Sequence, residues 1–157
     1  LDIPLSDFSA GSAQALTLTV AGHAAGISIC YEDAFGREVI AALPDAAFLV
    51  NVSNDAWFGD TIAPHQHLEI ARMRALESGR FLLRGTNTGI TAVIDHHGTI
   101  VAQAAQFEAV ALRAPFEARS GATPYVLAGD APLTALLVAA LGIIVRTRRR
   151  GRDDARR

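Results

Sequence analysis

Gly26-Ile27-Ser28-Ile29-Cys30-Tyr31-Glu32 decides how the rest of the chain is read. The apolar run Ile27 to Ile29 predicts a short buried strand. It ends on the chain's one cysteine, and Tyr31, Glu32 and Asp33 follow at once. A strand that stops at a thiol among carboxylates suits a nucleophile. It also suits an inert core position, because free Cys is among the most buried residue types. The flanking sequence has to choose between the two.

On the amino side, residues 1–11 lack a period and read as a loop. Residues 15–20 alternate apolar positions with Thr17 and Thr19, as a strand with one wet face does. Ala21-Gly22-His23 is the turn and residues 24–29 the return strand. On the carboxyl side, Asp33 predicts the cap of a helix over residues 34–43, stopped by Pro44-Asp45. Residues 48–52 predict a second buried strand, and residues 53–64 a polar and aromatic loop. A helix over residues 65–78 follows, with Pro64 in its first turn and Gly79 at its end. Leu68, Ala71, Ala75 and Leu76 share one of its faces. Residues 81–84 and 90–94 are strands, Asp95-His96-His97-Gly98 is a hairpin turn into residues 99–102, and residues 110–112 are a last short strand. Strand–helix–strand–helix followed by strands is an α/β pattern with a mixed sheet.

The chain has 157 residues, enough for one domain with a real core. Only 19% are charged against 50% hydrophobic, which is lean for a soluble domain and hints at a membrane segment. All 14 basic residues are arginine. Seven of them stand against fourteen acids in residues 1–145, and seven against two aspartates in residues 146–157. A chain that opens on Leu1 and has its one Met at Met73 reads as a piece of a longer protein, with any targeting signal upstream. A single cysteine excludes an internal disulfide.

Residues 131–145 are apolar except for Thr134. Taken from Tyr125, an interfacial aromatic, the stretch predicts a transmembrane helix of about 21 residues at ~1.5 Å each. Arg146, Arg148, Arg149 and Arg150 stop it and mark the cytoplasmic side, so the body faces outward. The competing expectation is a buried core helix. Nucleic acid is not an expected partner, because the basic block abuts the apolar run and the body is acidic.

Four blocks then carry a resemblance: Ile29-Cys30-Tyr31-Glu32; Asn51-Val52-Ser53-Asn54-Asp55-Ala56-Trp57-Phe58-Gly59; His65-Gln66-His67-Leu68 through Arg72-Met73-Arg74-Ala75-Leu76-Glu77; and Thr86-Asn87-Thr88-Gly89-Ile90. In this order, with the basic-ended apolar run behind them, they resemble the nitrilase (carbon–nitrogen hydrolase) superfamily and, within it, the apolipoprotein N-acyltransferases. The resemblance implies the carboxyl-terminal part of an α-β-β-α sandwich over residues 1–120, a transmembrane helix with its lead-in over 121–146 and a basic cytoplasmic tail over 147–157. It implies a Glu-Lys-Cys triad in which Cys30 is the nucleophile, the Tyr31 N–H an oxyanion donor and Glu32 a carboxylate beside the site. No cofactor and no metal is implied. The implied partners are a membrane phospholipid as acyl donor, a diacylglyceryl lipoprotein as acceptor and the lipid bilayer, in a monomer at the bacterial inner membrane with its body in the periplasm. The triad Glu and Lys precede the Cys in the family, and this chain has no lysine. Alone it is therefore expected to be inactive.

The remaining candidates are weaker. Trp57 and Phe58 suit an acyl-chain wall, or ordinary packing of a loop over the sheet. Asn54 and Asp55 suit local hydrogen bonds that fix that loop. His65 and His67, two apart, point to different helix faces, unlike helical zinc ligands four apart. Glu69 and Glu77 are expected to pair with Arg72, Arg74 or Arg80, His96-His97 to form a solvated turn, and Asn87 and Gly89 to shape the chain's return. A membrane-anchored amidase and a non-catalytic membrane-tethered module, with Cys30 as core, are the rival functions.

Overall fold

The computed structural model describes residues 17–154. The expected loop over residues 1–11, the first two residues of the 15–20 strand and the end of the basic tail lie outside the described residues. Among the described residues, six strands form one sheet in chain order: β1 Thr17–Val20, β2 His23–Ile29, β3 Phe48–Ser53, β4 Leu82–Thr86, β5 Ala92–Ile94 and β6 Ile100–Gln103. β2, β3 and β4 run parallel, while β1 and the β5–β6 pair add antiparallel flanks. The sheet is mixed, as the sequence pattern requires.

Alternation along the strands builds two apolar faces. Leu49 and Leu82 pack with Val39 of α1 (Gly36–Ile40) and with Leu68, Ala71 and Ala75 of α2 (Ala63–Ser78). Burying a leucine such as Leu68 stabilises the fold by about 1.5–3 kcal/mol. On the opposite face Ala25, Phe48, Phe81 and Val93 cluster, with Leu112 and Ala114 laid against them. α2 ends at Gly79, whose φ of 64° is the left-handed cap expected there.

Several expectations are corrected. Ile29 is exposed, because it is the last residue of β2 and points away from the helices. The helix expected over residues 34–43 is only α1, because Asp33 turns inward instead of capping and Phe35 stands at the helix start without a side-chain cap. Leu76 is exposed. Residues 110–112 join no ladder; Leu112 is laid against the second apolar face instead. The continuous helix expected from Tyr125 is divided into α3 (Pro124–Ala128) and α4 (Ala131–Asp154). Gly129, at φ 54°, breaks it. Among the described residues no helix is long and apolar enough to cross a membrane. The uninterrupted apolar part, residues 131–145, measures about 22 Å against a hydrocarbon core of about 30 Å. It is not the buried core helix of the competing expectation either, since every residue from 131 to 145 is exposed.

Because β2, β3 and β4 are parallel, their carboxyl ends share one edge of the sheet. Cys30 leaves β2 there, the Asn54-Asp55 turn leaves β3, and Asn87 follows β4. In open parallel sheets this edge is where ligand sites form.

Candidate active site

Cys30 opens a single 3-10 turn, Cys30–Ala34, that also holds Tyr31, Glu32 and Asp33. Its φ is +54°, a left-handed conformation that costs an L-residue roughly 1–2 kcal/mol. The thiol is half-buried and free. It is therefore not sealed in the core. The Ile29 N–H donates to the Glu32 carboxylate at 2.6 Å, so Glu32 closes the turn from the solvent side. Tyr31 is exposed, its ring edge-on to Phe35 at 5.5 Å.

Beneath the turn, between the sheet and α2, lies a polar cluster that is almost wholly buried: Asp33, Asn51, Asp55, His67 and Arg84. Asn51 and Arg84 stand two residues beyond Leu49 and Leu82 on β3 and β4, so strand alternation delivers them to the same helix side. Arg84 spreads its guanidinium over three acceptors. Nη1 donates to Asn51 Oδ1 at 2.6 Å and to Asp33 Oδ2 at 3.2 Å, and Nη2 donates to Asp55 Oδ2 at 3.1 Å. His67 lies between the other oxygens of the same carboxylates, with Nε2 3.1 Å from Asp33 Oδ1 and Nδ1 3.1 Å from Asp55 Oδ1. A ring with a carboxylate at each nitrogen is satisfied at both only as the imidazolium, which donates twice. Burial pulls the His67 pKa down and Arg84 opposes the proton. The Asp33 hydrogen bond and the two carboxylate charges outweigh them, and the pKa is raised above 6.5. Two anions then face two cations, as a buried cluster requires.

Asn51 carries the cluster to the nucleophile. Its Nδ2 donates to the Cys30 carbonyl at 3.1 Å and to Ser28 Oγ at 3.0 Å. Asp55 also accepts from Ser53 Oγ at 2.6 Å, while its own N–H donates to Asn87 Oδ1 at 3.1 Å. Asn87 Nδ2 donates to Asn54 Oδ1 at 2.6 Å, and the Ala56 N–H donates to the same oxygen at 3.2 Å. The local bonds expected of Asn54 and Asp55 are present, and Asp55 is also an anchor of the buried cluster. Gly89 closes the far side; a Cβ there would lie 2.1 Å from Asp55 Oδ2.

Trp57 and Phe58 sit in a second 3-10 turn, Asp55–Phe58, with Trp57 71% exposed. The cluster ties this turn to the Cys30 turn, since Asp33 belongs to one and Asp55 to the other. A shallow, open depression lies at the same sheet edge beside Val52, Asn54, Thr86 and Asn87; Cys30, Trp57 and Phe58 are not among the residues that line it. Glu69–Arg72 at 2.8 Å and Glu77–Arg74 at 2.7 Å are the expected helix pairs. Arg80 instead donates to the carbonyls of Ala46 and Gly121, each at 2.7 Å. His65 is exposed and His67 buried, so the two do face apart. Among the described residues no group of three or more His, Cys, Asp or Glu is arranged to hold a metal.

The sequence reading missed the buried cluster. One signal pointed to His67: it stands four residues before Ala71 and eight before Ala75, on the apolar face of α2. Nothing local pointed to Arg84 or Asp33 as its companions.

A carbon–nitrogen hydrolase family model matches residues 8–122. The apolipoprotein N-acyltransferase of Methylococcus capsulatus is 53% identical over 150 residues, 96% of this chain and 30% of that protein. That of Nitrosomonas europaea is 52% identical over 137 residues, 87% of this chain and 28% of that protein. The chain thus spans about 30% of the length of the curated relatives it matches. The crystal structure of Saccharomyces cerevisiae Nit3, of the nitrilase superfamily, superposes with a TM-score of 0.51 at 22% identity over 62% of this chain and 39% of that one. That likeness concerns the fold alone.

Proposed function

This chain belongs to the carbon–nitrogen hydrolase family, and from that premise we propose that it is the nucleophile-bearing part of an apolipoprotein N-acyltransferase. The observation that carries the reading is Cys30 itself: a half-exposed thiol, at the carboxyl edge of the parallel strands, on a left-handed residue. Strained backbone of this kind concentrates at functional sites.

In the proposed reaction Cys30 Sγ attacks the ester carbonyl of a phospholipid acyl chain. The carbon–oxygen bond breaks, the lysophospholipid hydroxyl leaves with the proton, and the acyl group remains as a thioester. The α-amine of a diacylglyceryl-cysteine lipoprotein then attacks the thioester. The carbon–sulfur bond breaks, an amide forms, and the thiol recovers a proton. In this reading the Tyr31 N–H donates to the developing oxyanion. Glu32 braces the turn, and Trp57 and Phe58 offer apolar surface to acyl chains. The general base and the oxyanion cation, assigned by resemblance to a Glu and a Lys, belong to other parts of the full-length protein, so this chain alone is inactive.

Both substrates are lipids, and the exposed apolar length of α4 supports a membrane location. α4 enters the bilayer of the bacterial inner membrane. Its exposed apolar residues enter the acyl chains while Arg146 and Arg148 stay among the headgroups, and the sheet and its site lie at the membrane surface.

The test supplies full-length protein with phospholipid carrying a labelled acyl chain and a diacylglyceryl-cysteine peptide. Label is expected on the peptide amine, and none in Cys30→Ala. Label released as free fatty acid identifies a hydrolase that uses water. Transfer undiminished in Cys30→Ala identifies a protein in which this thiol carries no chemistry.

A further inference from the structure

We propose that Asn51 is a positioning residue that aims the Tyr31 N–H at the oxyanion, and that Arg84 and the Asp33–His67–Asp55 cluster set Asn51. This inference rests on the assignment of Cys30 as the acyl-bearing nucleophile.

The Cys30 carbonyl and the Tyr31 N–H belong to one peptide unit. That unit is planar and trans, so its C=O and N–H point in opposite directions. Whatever fixes the carbonyl fixes the direction of the N–H. Asn51 Nδ2 donates to that carbonyl at 3.1 Å from the helix side of the sheet. The Tyr31 N–H is thereby turned away from the buried cluster. As the second residue of the Cys30–Ala34 turn, Tyr31 has no intraturn carbonyl for its N–H, in the manner of opening helical residues. A hydrogen bond on the carbonyl also polarises the peptide unit and strengthens its N–H as a donor.

The other hydrogen of the Asn51 amide goes to Ser28 Oγ at 3.0 Å, so one side chain clasps the chain on both sides of Ile29. The orientation of that amide is set by Arg84, which only donates; its 2.6 Å bond must end on Oδ1, and Nδ2 must therefore face Ser28 and Cys30. Arg84 is in turn held by the two carboxylates that His67 bridges. A buried ionic cluster is weak as a source of stability, because apolar residues of the same volume do as well. Its use here is directional: it allows Asn51 one orientation and the nucleophile's peptide unit one tilt.

The test compares two reactions of Cys30 in the full-length protein. Acyl-thioester formation from phospholipid passes through an oxyanion; alkylation by iodoacetamide does not. Asn51→Leu is expected to slow thioester formation about 10- to 100-fold, with alkylation within about threefold of the parent and the phospholipid KM unchanged. If Asn51→Leu fails to fold, Asn51→Asp carries the same comparison, since it keeps an acceptor for Arg84 and loses the donor to Cys30. Equal losses in both reactions would mean that Asn51 merely supports the turn, and no loss in either that it aims nothing; both overturn the inference. A parent protein that is alkylated at Cys30 but never acylated would overturn the functional assignment first, and this inference with it.

Discussion

At the scale of the residue, the two informative side chains are Cys30 and His67. The φ of +54° at Cys30 suits glycine, which has no Cβ to crowd the preceding carbonyl. Cys30→Gly should therefore be more stable than Cys30→Ala by about 1 kcal/mol, although both lack the thiol; urea midpoints compare them. His67 has its folded pKa raised above 6.5. The stabilisation linked to its proton is fully present below its unfolded pKa and is lost as pH rises through the folded pKa. Unfolding free energy measured from about pH 6 to pH 9 should fall with pH in the parent protein, and the His67 contribution to that slope should vanish in His67→Gln. His67→Ala, which leaves two carboxylates facing one guanidinium, should cost about 3–5 kcal/mol at pH 6. Cys30 was legible from the sequence because a strand end and a lone thiol are local signals. His67 was not, because its partners lie 12 and 34 residues away and only the assembled sheet brings them together.

At the scale of the element, the turns after β2 and β3 and the loop after β4 act together through Asp33, Asp55 and Asn87. The loop at Gly89 presses against the Asp55 carboxylate, and a Cβ there meets Oδ2 at 2.1 Å. Gly89→Ala should therefore destabilise by about 1–3 kcal/mol. Gly85→Ala, where a Cβ would meet nothing within 4 Å, should stay within about 0.5 kcal/mol of the parent; thermal or urea unfolding separates the two. The strands and α2 were legible because their apolar periods are local and strong. α1 came out shorter than expected because Asp33 satisfies Arg84 and His67 rather than a helix terminus. Residues 110–112 have a strand's composition but join no ladder, and Leu112 packs against the sheet face instead.

At the scale of the whole molecule, an acidic body is followed by an apolar helix whose residues 131–145 are all exposed. Hydropathy made that segment legible; the break at Gly129 was hidden because glycine is common within apolar helices as well as at their ends. A peptide covering residues 124–154 should gain helical circular dichroism on addition of anionic phospholipid vesicles. Leu137→Asp with Leu141→Asp should weaken its partitioning, each aspartate costing roughly 2.5–3.5 kcal/mol if it lies at the bilayer centre. The rest of the functional reading depends on one sulfur. Its most direct test is mass spectrometry of full-length protein incubated with phospholipid in the absence of any amine acceptor. A hydroxylamine-labile acyl mass on the peptide that contains Cys30, absent from Cys30→Ala, is the expected result. Protein that transfers acyl chains when the amine is then added, yet never carries an acyl mass on Cys30, would contradict it.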